Sequence, residues 1–327
     1  MPDQDVRLQH LKVWLDEQLA TLFADQGWGA VPPATLTAAS SDASFRRYFR
    51  WEGEGRSFVV MDAPPPQENC KPFVDIAFLL AKSGINVPKI YAEDLERGFL
   101  LLNDLGNQTY LDVIDSENAD DLFKDALQAL LAFQQLPMVA PLPSYDVALL
   151  RRELELFPEW YVGRELGVTL SAQQREQWQR VSDLLIDSAL AQPKVVVHRD
   201  FMPRNLMQST PNPGVLDFQD AVYGPVTYDI TCLFKDAFLS WPEDRVEAWL
   251  AHYHARAVDA GLPVPDLARF RRDADWIGVQ RHLKVIGIFA RLWHRDGKPK
   301  YLADVPRFFA YLDGVLPRYP ELAPLAE

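Results

Sequence analysis

Residues 195–207 read VVVHRDFMPRNLM, and residues 214–218 read GVLDF. In each stretch a short apolar run leads into an aspartate, Asp200 in the first and Asp217 in the second, and Asn205 follows Asp200 by five residues. Apolar runs of this length between prolines are typical of short buried strands. We expect the two runs, residues 194–197 and 214–216, to pair as a hairpin, which would bring the three polar side chains together at its ends.

These three residue types suit phosphoryl transfer. One carboxylate can orient an attacking hydroxyl and accept its proton, while a carboxamide and a second carboxylate can coordinate the Mg2+ ions that bridge nucleotide phosphates. An amide oxygen binds a cation without repelling the phosphates. We therefore predict an ATP-dependent phosphotransferase with an alcohol as acceptor, in which Asp200 is the catalytic base and Asn205 and Asp217 bind Mg2+. The structural alternative is that Asp200 and Asn205 cap turns and Asp217 ends a strand in solvent.

The hydrophobic pattern divides the rest of the chain in two. The first hundred residues contain an N-terminal helical pattern and a second helix, at residues 6–24 and 73–82, and strand-like runs at residues 44–51, 57–62, 86–92 and 99–102. Beyond residue 105 helical periodicity dominates, at residues 119–135, 151–166, 171–191, 243–260, 267–293 and 305–315. We predict an α+β fold with a small β-rich N-lobe, residues 1–103, and a larger helical C-lobe, residues 104–327.

Composition and charge exclude several classes of protein. The 327 residues are 48% hydrophobic and 24% charged, as in ordinary globular proteins, and no apolar run reaches the roughly 18 residues of a membrane span. The polar N-terminus is unlike a signal peptide, so we expect a cytoplasmic protein with Cys70 and Cys232 reduced. A net charge of −13 argues against nucleic acid as a partner. The acidity either attracts a cationic substrate or keeps the protein soluble, and no obligatory protein partner is evident.

The two quoted stretches resemble the catalytic loop and metal-binding aspartate of the aminoglycoside phosphotransferase-like (choline kinase-like) branch of the protein-kinase superfamily. The resemblance extends over residues 36–310 and implies a protein-kinase-like two-lobe fold. It assigns the three polar residues the roles given above and implies that His198 braces the catalytic loop. It also implies that Asp229, in the stretch GPVTYDI at residues 224–230, accepts hydrogen bonds from the backbone of that loop.

The same resemblance places the nucleotide site in the N-lobe. Residues 40–50, SSDASFRRYFR, stand where the family has a hairpin loop over the phosphates, and residues 100–106, LLLNDLG, resemble the linker whose backbone binds adenine. The residues implied in nucleotide binding are Ser41, Asp42, Ala43, Ser44, Arg46, Asn103 and Leu105.

The third strand departs from the kinase pattern. Met61 stands where a kinase normally presents the lysine that pairs with the phosphates. An arginine of the hairpin, Arg46 or Arg47, or else Lys71, can supply the cation instead, or Mg2+ can carry most of the phosphate charge. Glu68 is the candidate acid on the helix side. The missing lysine also leaves open a nucleotide-binding pseudokinase that acts as a regulatory module.

Within the family, the chain is most similar to the bacterial branch that phosphorylates the anomeric hydroxyl of N-acetylmuramate and N-acetylglucosamine in cell-wall recycling. The stretches that carry this similarity are SDASFRRYFR (residues 41–50), VMDAPP (residues 60–65), HRDFMPRNL (residues 198–206), LDFQDA (residues 216–221) and RLWHRDGK (residues 291–298). It implies a sugar site in which tryptophan stacks and arginine forks onto oxygens. The candidate substrate residues are Arg204, Asp220, Arg291, Trp293 and His294.

Other acceptors and another role for the last of these stretches stay open. A kinase for aminoglycosides or choline would fit the acidic charge better, although the basic stretch at residues 291–298 argues against a cationic substrate. Trp293 can equally belong to the core, with the neighbouring charges forming a solvated helix end. A protein kinase is disfavoured because no long activation segment with a Pro-Glu signature follows Asp217.

Overall fold

The computed structural model describes residues 2–40, 45–137 and 142–326, apart from the side chains of residues 2–5 and 40. The chain forms two compact units. The first comprises Met1–Thr109 and Met207–Gln219, and the second comprises Tyr110–Leu206 and Asp220–Glu327. The lobe boundary that we place after residue 103 stays a prediction, because each compact unit is built from two separate segments of the chain.

A five-stranded antiparallel sheet with two helices makes up most of the first unit. Its strand order is β1-β2-β3-β5-β4. In chain order the elements are α1 (Pro2–Asp25), β1 (Thr35–Ser40), β2 (Arg47–Gly53), β3 (Arg56–Asp62), α2 (Lys71–Lys82), β4 (Ile90–Asp94) and β5 (Phe99–Asn103). The hairpin predicted at residues 44–62 is confirmed as β2 and β3, whereas β1 was missed because its sequence TLTAAS contains a single large apolar residue, Leu36.

Leucines one helical turn apart place α1 on the sheet. Leu11, Leu15 and Leu19 are each at most 2% exposed and share a core with Trp51 and Phe58 of the β2–β3 hairpin. Residues four apart lie on the same face of a helix, so one apolar stripe faces the strands. The first unit therefore has its own hydrophobic core.

The second segment of the first unit, Met207–Gln219, is bound to the first segment by backbone hydrogen bonds. The Val215 N–H donates to the Asn86 carbonyl at 2.7 Å, and the Gln208 N–H donates to the Gln108 carbonyl at 2.9 Å. Asn86 itself lies before β4, which begins at Ile90 and not at residue 86 as predicted. Pro88 has no N–H for a strand ladder, which accounts for the irregular stretch.

The second unit is mainly helical. Its helices are α3 (Tyr110–Val113), α4 (Ala119–Gln134), α5 (Val147–Leu156), a π-helix (Phe157–Glu165), α6 (Ala172–Ala191), α7 (Tyr228–Phe234), α8 (Glu243–Asp259), α9 (Leu267–His294) and α10 (Val305–Val315), with short 3-10 turns at Pro203–Asn205, Pro299–Asp304, Leu316–Arg318 and Pro320–Ala326. Within the described residues, no helix is both long and apolar enough to cross a membrane. The predicted α+β class is confirmed.

One long helix predicted from the sequence is two elements in the structure. The periodicity at residues 151–166 belongs to α5, which ends at Leu156, and to the π-helix that follows it. Pro158 cannot donate a backbone hydrogen bond, so the regular α-helical pattern cannot continue through it. The start of α6 agrees with the prediction, since Ser171 and Gln174 form a reciprocal capping box there.

Four short strands follow α6: β6 (Lys194–Val197), β7 (Leu206–Met207), β8 (Gly214–Val215) and β9 (Val222–Pro225). β6 pairs with β9, and β7 pairs with β8. The predicted hairpin between residues 194–197 and 214–216 is therefore wrong. β9 offers four buried residues that match β6 in length, whereas β8 has only two.

The helix α9 packs closely against the end of α5. A Cβ atom added to Gly287 would lie 2.4 Å from the carbonyl carbon of Leu156. Such a distance is shorter than any normal contact, and backbone atoms cannot move aside as a flexible side chain can. Glycine at this position therefore permits the approach of the two helices.

We expect Gly287→Ala to lower the free energy of unfolding by about 1–3 kcal/mol, because overpacking against backbone outweighs the gain in helix propensity. The matched control is Gly314→Ala in α10, where an added Cβ would meet nothing within 4 Å. That control should stabilise the protein by up to about 1 kcal/mol. Chemical denaturation of both variants measures the effect, and equal stabilisation of both would contradict the close packing.

Candidate active site

The loop predicted to be catalytic, residues 198–205, begins directly after β6 and is held by a buried carboxylate. Asp229, in the first turn of α7, accepts hydrogen bonds from the backbone N–H groups of His198 at 2.7 Å and Arg199 at 2.9 Å. Burial raises the pKa of Asp229 to about 7, against the two N–H donors, which lower it. These are the loop-to-Asp229 hydrogen bonds that the family resemblance implies.

Asp200 and Asn205 lie in the same loop and are linked within it. The Asp200 N–H donates to His198 Nδ1 at 3.2 Å, and the Asp200 carbonyl accepts from Asn205 Nδ2 at 2.9 Å. His198 is fully buried between the rings of Phe133 and Phe201. Hydrogen bonds from and to its own residues thus hold the loop, in which Asp200 is half-buried.

Asp217 belongs to the first unit. It is exposed and adopts a positive φ of 61°, and its Oδ1 accepts a hydrogen bond from Gln219 Nε2 at 2.7 Å. The next side chain, Phe218, is buried and packs on Phe73 of α2 with ring centroids 4.9 Å apart. The segment around Asp217 is therefore anchored to the first unit by its aromatic neighbour.

The donor set for a metal ion is small. Within residues 2–40, 45–137 and 142–326, no three His, Cys, Asp or Glu side chains cluster as a metal site. The amide of Asn205 has a defined orientation because its Nδ2 is used by the Asp200 carbonyl, so Oδ1 is the atom that can face a cation. An oriented amide oxygen fits Mg2+, which takes few protein ligands and completes its shell with phosphates and water.

The predicted phosphate-binding residues divide into two groups. Ser41, Asp42, Ala43 and Ser44 lie outside the described residues. Arg46 is described, and its Nε lies 3.1 Å from Glu68 Oε2, with both side chains largely buried.

The neighbouring arginine has a different partner. Arg47 Nε donates at 2.9 Å to Asp62, a fully buried carboxylate that also accepts from Arg7 Nε at 2.7 Å. Lys71 pairs with Asp75 on the surface of α2, and Met61 is fully buried. Of the three cations considered from the sequence, only Arg46 pairs with Glu68.

The linker after β5 contains an ion pair that the sequence did not indicate. Arg50 Nε donates to Asp104 at 2.6 Å, and Arg50 also donates to the Gly106 carbonyl at 2.6 Å. Although burial opposes it, the hydrogen bonds from Arg50 and the Gly106 N–H hold the pKa of Asp104 below its usual range. Asn103 accepts from the Lys89 N–H through its side chain, and Leu105 is half-buried.

The candidate substrate residues lie in the second unit and differ in their surroundings. Arg204 stacks over Phe238 at 5.1 Å, and Asp220 is exposed. Arg291 is half-buried, whereas Trp293 is 38% exposed and therefore not a core residue. His294 Nε2 lies 2.7 Å from Glu165 Oε2 of the π-helix, so this histidine is fixed by a protein partner.

Two charged residues that contact the catalytic loop region were missed from the sequence. Glu153 of α5 and Lys284 of α9 are both buried, and they form an ion pair of 3.0 Å next to Arg199. The available signal was Lys284 within the apolar stretch of α9, because a lysine at a buried helical position requires a partner.

Comparison with known proteins identifies the family. Residues 35–271 match the phosphotransferase enzyme family (APH). The chain belongs to this family and is an ATP-dependent kinase, as the sequence predicted.

Its relatives include two bacterial kinases. The N-acetylmuramate/N-acetylglucosamine kinase of Pseudomonas putida is 73% identical over 100% of this chain and 97% of its own length. The N-acetylmuramate/N-acetylglucosamine kinase of Neisseria meningitidis is 48% identical over 89% of this chain and 88% of its own.

Solved structures confirm the protein-kinase-like fold. Choline kinase LicA from Streptococcus pneumoniae superposes with a TM-score of 0.62 at 16% identity, covering 95% of this chain and 100% of its own. Aminoglycoside phosphotransferase APH(2″)-Ib, ADP-bound, gives a TM-score of 0.60 at 15% identity, covering 90% and 97%. At such low identity these likenesses describe the fold alone.

Proposed function

We propose that this kinase transfers the γ-phosphoryl group of ATP to the anomeric hydroxyl of N-acetylmuramate and N-acetylglucosamine. The product is the sugar 1-phosphate, and the role is cell-wall recycling in the cytoplasm. The observation that carries this proposal is the full-length similarity to kinases of that name, at 73% and 48% identity. Substrate residues are the part of a kinase that varies between branches, so similarity along the whole chain supports a shared acceptor.

Asp200 is the proposed catalytic base. Its loop is fixed through the backbone by Asp229 and through the Asn205 amide, which supports a carboxylate held in one position. An anomeric hydroxyl is more acidic than other sugar hydroxyls, so a carboxylate is a sufficient base. Positioning and charge stabilisation then supply most of the rate acceleration.

Asn205 and Asp217 are the proposed Mg2+ ligands. The oriented Oδ1 of Asn205 and the exposed carboxylate of Asp217 are the oxygen donors that this cation prefers. Bound Mg2+ would neutralise the phosphate charge of ATP. Asp229 and His198 would keep the loop in place without contacting either substrate.

Arg46 is the proposed phosphate cation in place of the lysine absent at Met61. Protein kinases hold that lysine by an ion pair with a glutamate on the helix side. Arg46 and Glu68 form a comparable pair, whereas Arg47 is bound to buried Asp62. Adenine would bind along the linker that includes Asn103 and Leu105.

The sugar is proposed to contact Arg204, Asp220, Arg291, Trp293 and His294. Exposed Trp293 offers a face for stacking, and half-buried Arg291 offers a guanidinium for an acidic or hydroxyl group. N-acetylmuramate carries a carboxylate, for which a cationic residue is the matching partner.

The acceptor is tested by incubating the protein with ATP, Mg2+ and each of N-acetylmuramate, N-acetylglucosamine, choline and an aminoglycoside. We expect phosphorylation of the two N-acetylated sugars, detected by phosphorus NMR as a phosphate on C1. The matched control is the 1-O-methyl glycoside of N-acetylglucosamine, which lacks the anomeric hydroxyl and should not react.

Three results would contradict parts of this proposal. Turnover of the methyl glycoside would exclude the anomeric hydroxyl as the sole acceptor. Product from choline or the aminoglycoside alone would place the enzyme with the cationic-substrate kinases. Tight ATP binding without turnover of any acceptor would favour a pseudokinase.

We expect Asp200→Asn to lower kcat by about 10²- to 10⁴-fold, because the amide has the shape of the carboxyl group but cannot accept the proton. ATP binding, measured by calorimetry, should stay within about twofold if the residue acts only in the chemical step. Asp183→Asn on α6 removes an exposed carboxylate paired with Arg151 and should leave kcat unchanged. Normal turnover by Asp200→Asn would overturn the assignment of the base.

We expect Arg46→Met to raise the KM for ATP by about 10- to 100-fold, because the variant loses one charge-assisted contact to phosphate. Arg47→Met is the matched control, since it removes the cation of the next residue, which is bound to Asp62. It should lower thermal stability and leave the KM for ATP unchanged. Equal effects of both variants on KM would show that Arg46 has no special role.

A further inference from the structure

A buried charged cluster joins α5, α9 and the catalytic loop of the second unit. Its centre is the Glu153 carboxylate, only 5% exposed. Arg199 Nη2 donates to Glu153 Oε1, Lys284 Nζ lies 3.0 Å from the same oxygen, and Gln280 Nε2 donates to Oε2 at 3.3 Å. The Tyr145 hydroxyl donates to Oε2 as well. We call these five residues the Glu153 cluster.

The cluster holds one negative and two positive charges in the interior. Although burial opposes ionisation, the charges of Lys284 and Arg199 keep the pKa of Glu153 below its usual range. A buried ion pair of this kind stabilises the fold no more than well-packed apolar residues of similar volume. Stability alone is therefore a weak reason for its presence. The cluster includes Arg199, which directly precedes Asp200, and this suggests a role for the cluster in placing Asp200.

Arg199 has an uncommon backbone conformation that requires support. Its φ is +78°, in the region that disfavours side chains other than glycine, and such residues persist only where surrounding contacts determine them. Asp229 binds its backbone N–H, and Glu153 binds its guanidinium. A further contact runs from Arg199 Nη1 to the Asp220 carbonyl at 3.5 Å. Arg199 is therefore clamped at both ends, by α7 and by α5.

We propose that Glu153 is a positioning residue for phosphoryl transfer. By binding the Arg199 guanidinium it holds the backbone turn at residues 198–200, and thereby the direction in which the Asp200 carboxylate points. Glu153 itself contacts no substrate. The inference rests on the proposed role of Asp200 as catalytic base, and it adds a residue of α5, distant in sequence, to the determinants of catalysis.

The test is Glu153→Gln, which keeps the shape and one acceptor oxygen but removes the charge that binds Arg199. We expect kcat to fall by about 10- to 100-fold, the effect of a displaced catalytic group. The KM values for ATP and for the sugar should change by less than about threefold, because no binding contact is lost. Glu153→Asp, which retains the charge, should recover part of the lost kcat.

A matched control separates positioning from general loss of stability. Asp275 of α9 is another buried carboxylate of the same unit, and it accepts from the Tyr319 hydroxyl at 2.6 Å and from Arg318 at 3.2 Å. Asp275→Asn should lower the melting temperature and leave kcat and both KM values unchanged. A loss of kcat in both variants, in proportion to their loss of stability, would overturn the proposal.

The route through Arg199 is tested by a double-mutant cycle. Arg199→Met should lower kcat about as much as Glu153→Gln, and the double variant should be no slower than either, because the two changes break one contact. Multiplying effects would show that Glu153 does not act through Arg199. If Glu153→Gln fails to fold, Glu153→Gln with Lys284→Met keeps the net charge of the cluster and should show the same low kcat.

The kcat and KM values of each variant are divided by those of the wild type, measured with the acceptor that the wild type phosphorylates best. If the wild type does not phosphorylate N-acetylated sugars, the proposed function is contradicted, but these ratios can still be measured with another acceptor. Wild-type kcat in both Glu153→Gln and the Lys284 double variant would contradict the positioning role, whichever acceptor is used.

Discussion

The Asp229 carboxylate accepts hydrogen bonds from two consecutive backbone N–H groups, and the loop at residues 198–205 depends on this contact. His198 and Arg199 directly follow β6, and each donates its backbone N–H to one oxygen of the Asp229 carboxylate. A buried unpaired N–H costs about 1–3 kcal/mol, so one carboxylate that accepts two of them decides the path of the chain. Asp200 is placed by that path, as is the Asn205 amide that binds its carbonyl.

Carboxylates also fix the positions of charged side chains in the first unit. Buried Asp62 accepts hydrogen bonds from Arg7 and Arg47, and Asp104 accepts one from Arg50, so these three arginines have structural partners. Arg46 alone among the hairpin arginines pairs with Glu68. An ion pair between two largely buried side chains keeps the guanidinium extended and oriented, which a solvated arginine would not be. This distribution of partners supports Arg46 as the substitute for the strand lysine.

Much of the helical and strand content could be predicted because it follows from local pattern. Three elements are each predicted by a pattern within a few residues: α1 by its leucines, α6 by its capping box and β6 by its apolar run. The predictions failed where the outcome depends on distant partners. β6 pairs with β9 and not with β8, and the helix expected through Pro158 changes there into a π-helix.

The sequence by itself determined the chemistry of this protein. Asp200, Asn205 and Asp217 at their spacing, with the family resemblance, indicated a kinase, and the family comparison confirmed it. Only the tertiary structure decided which charged side chains pair with one another. The separation of Arg46 from Arg47, and the burial of Glu153 and Lys284 beside Arg199, depend on contacts between residues far apart in the chain. Such contacts leave no periodic signal, because an ion pair needs only two side chains in reach and no repeating pattern.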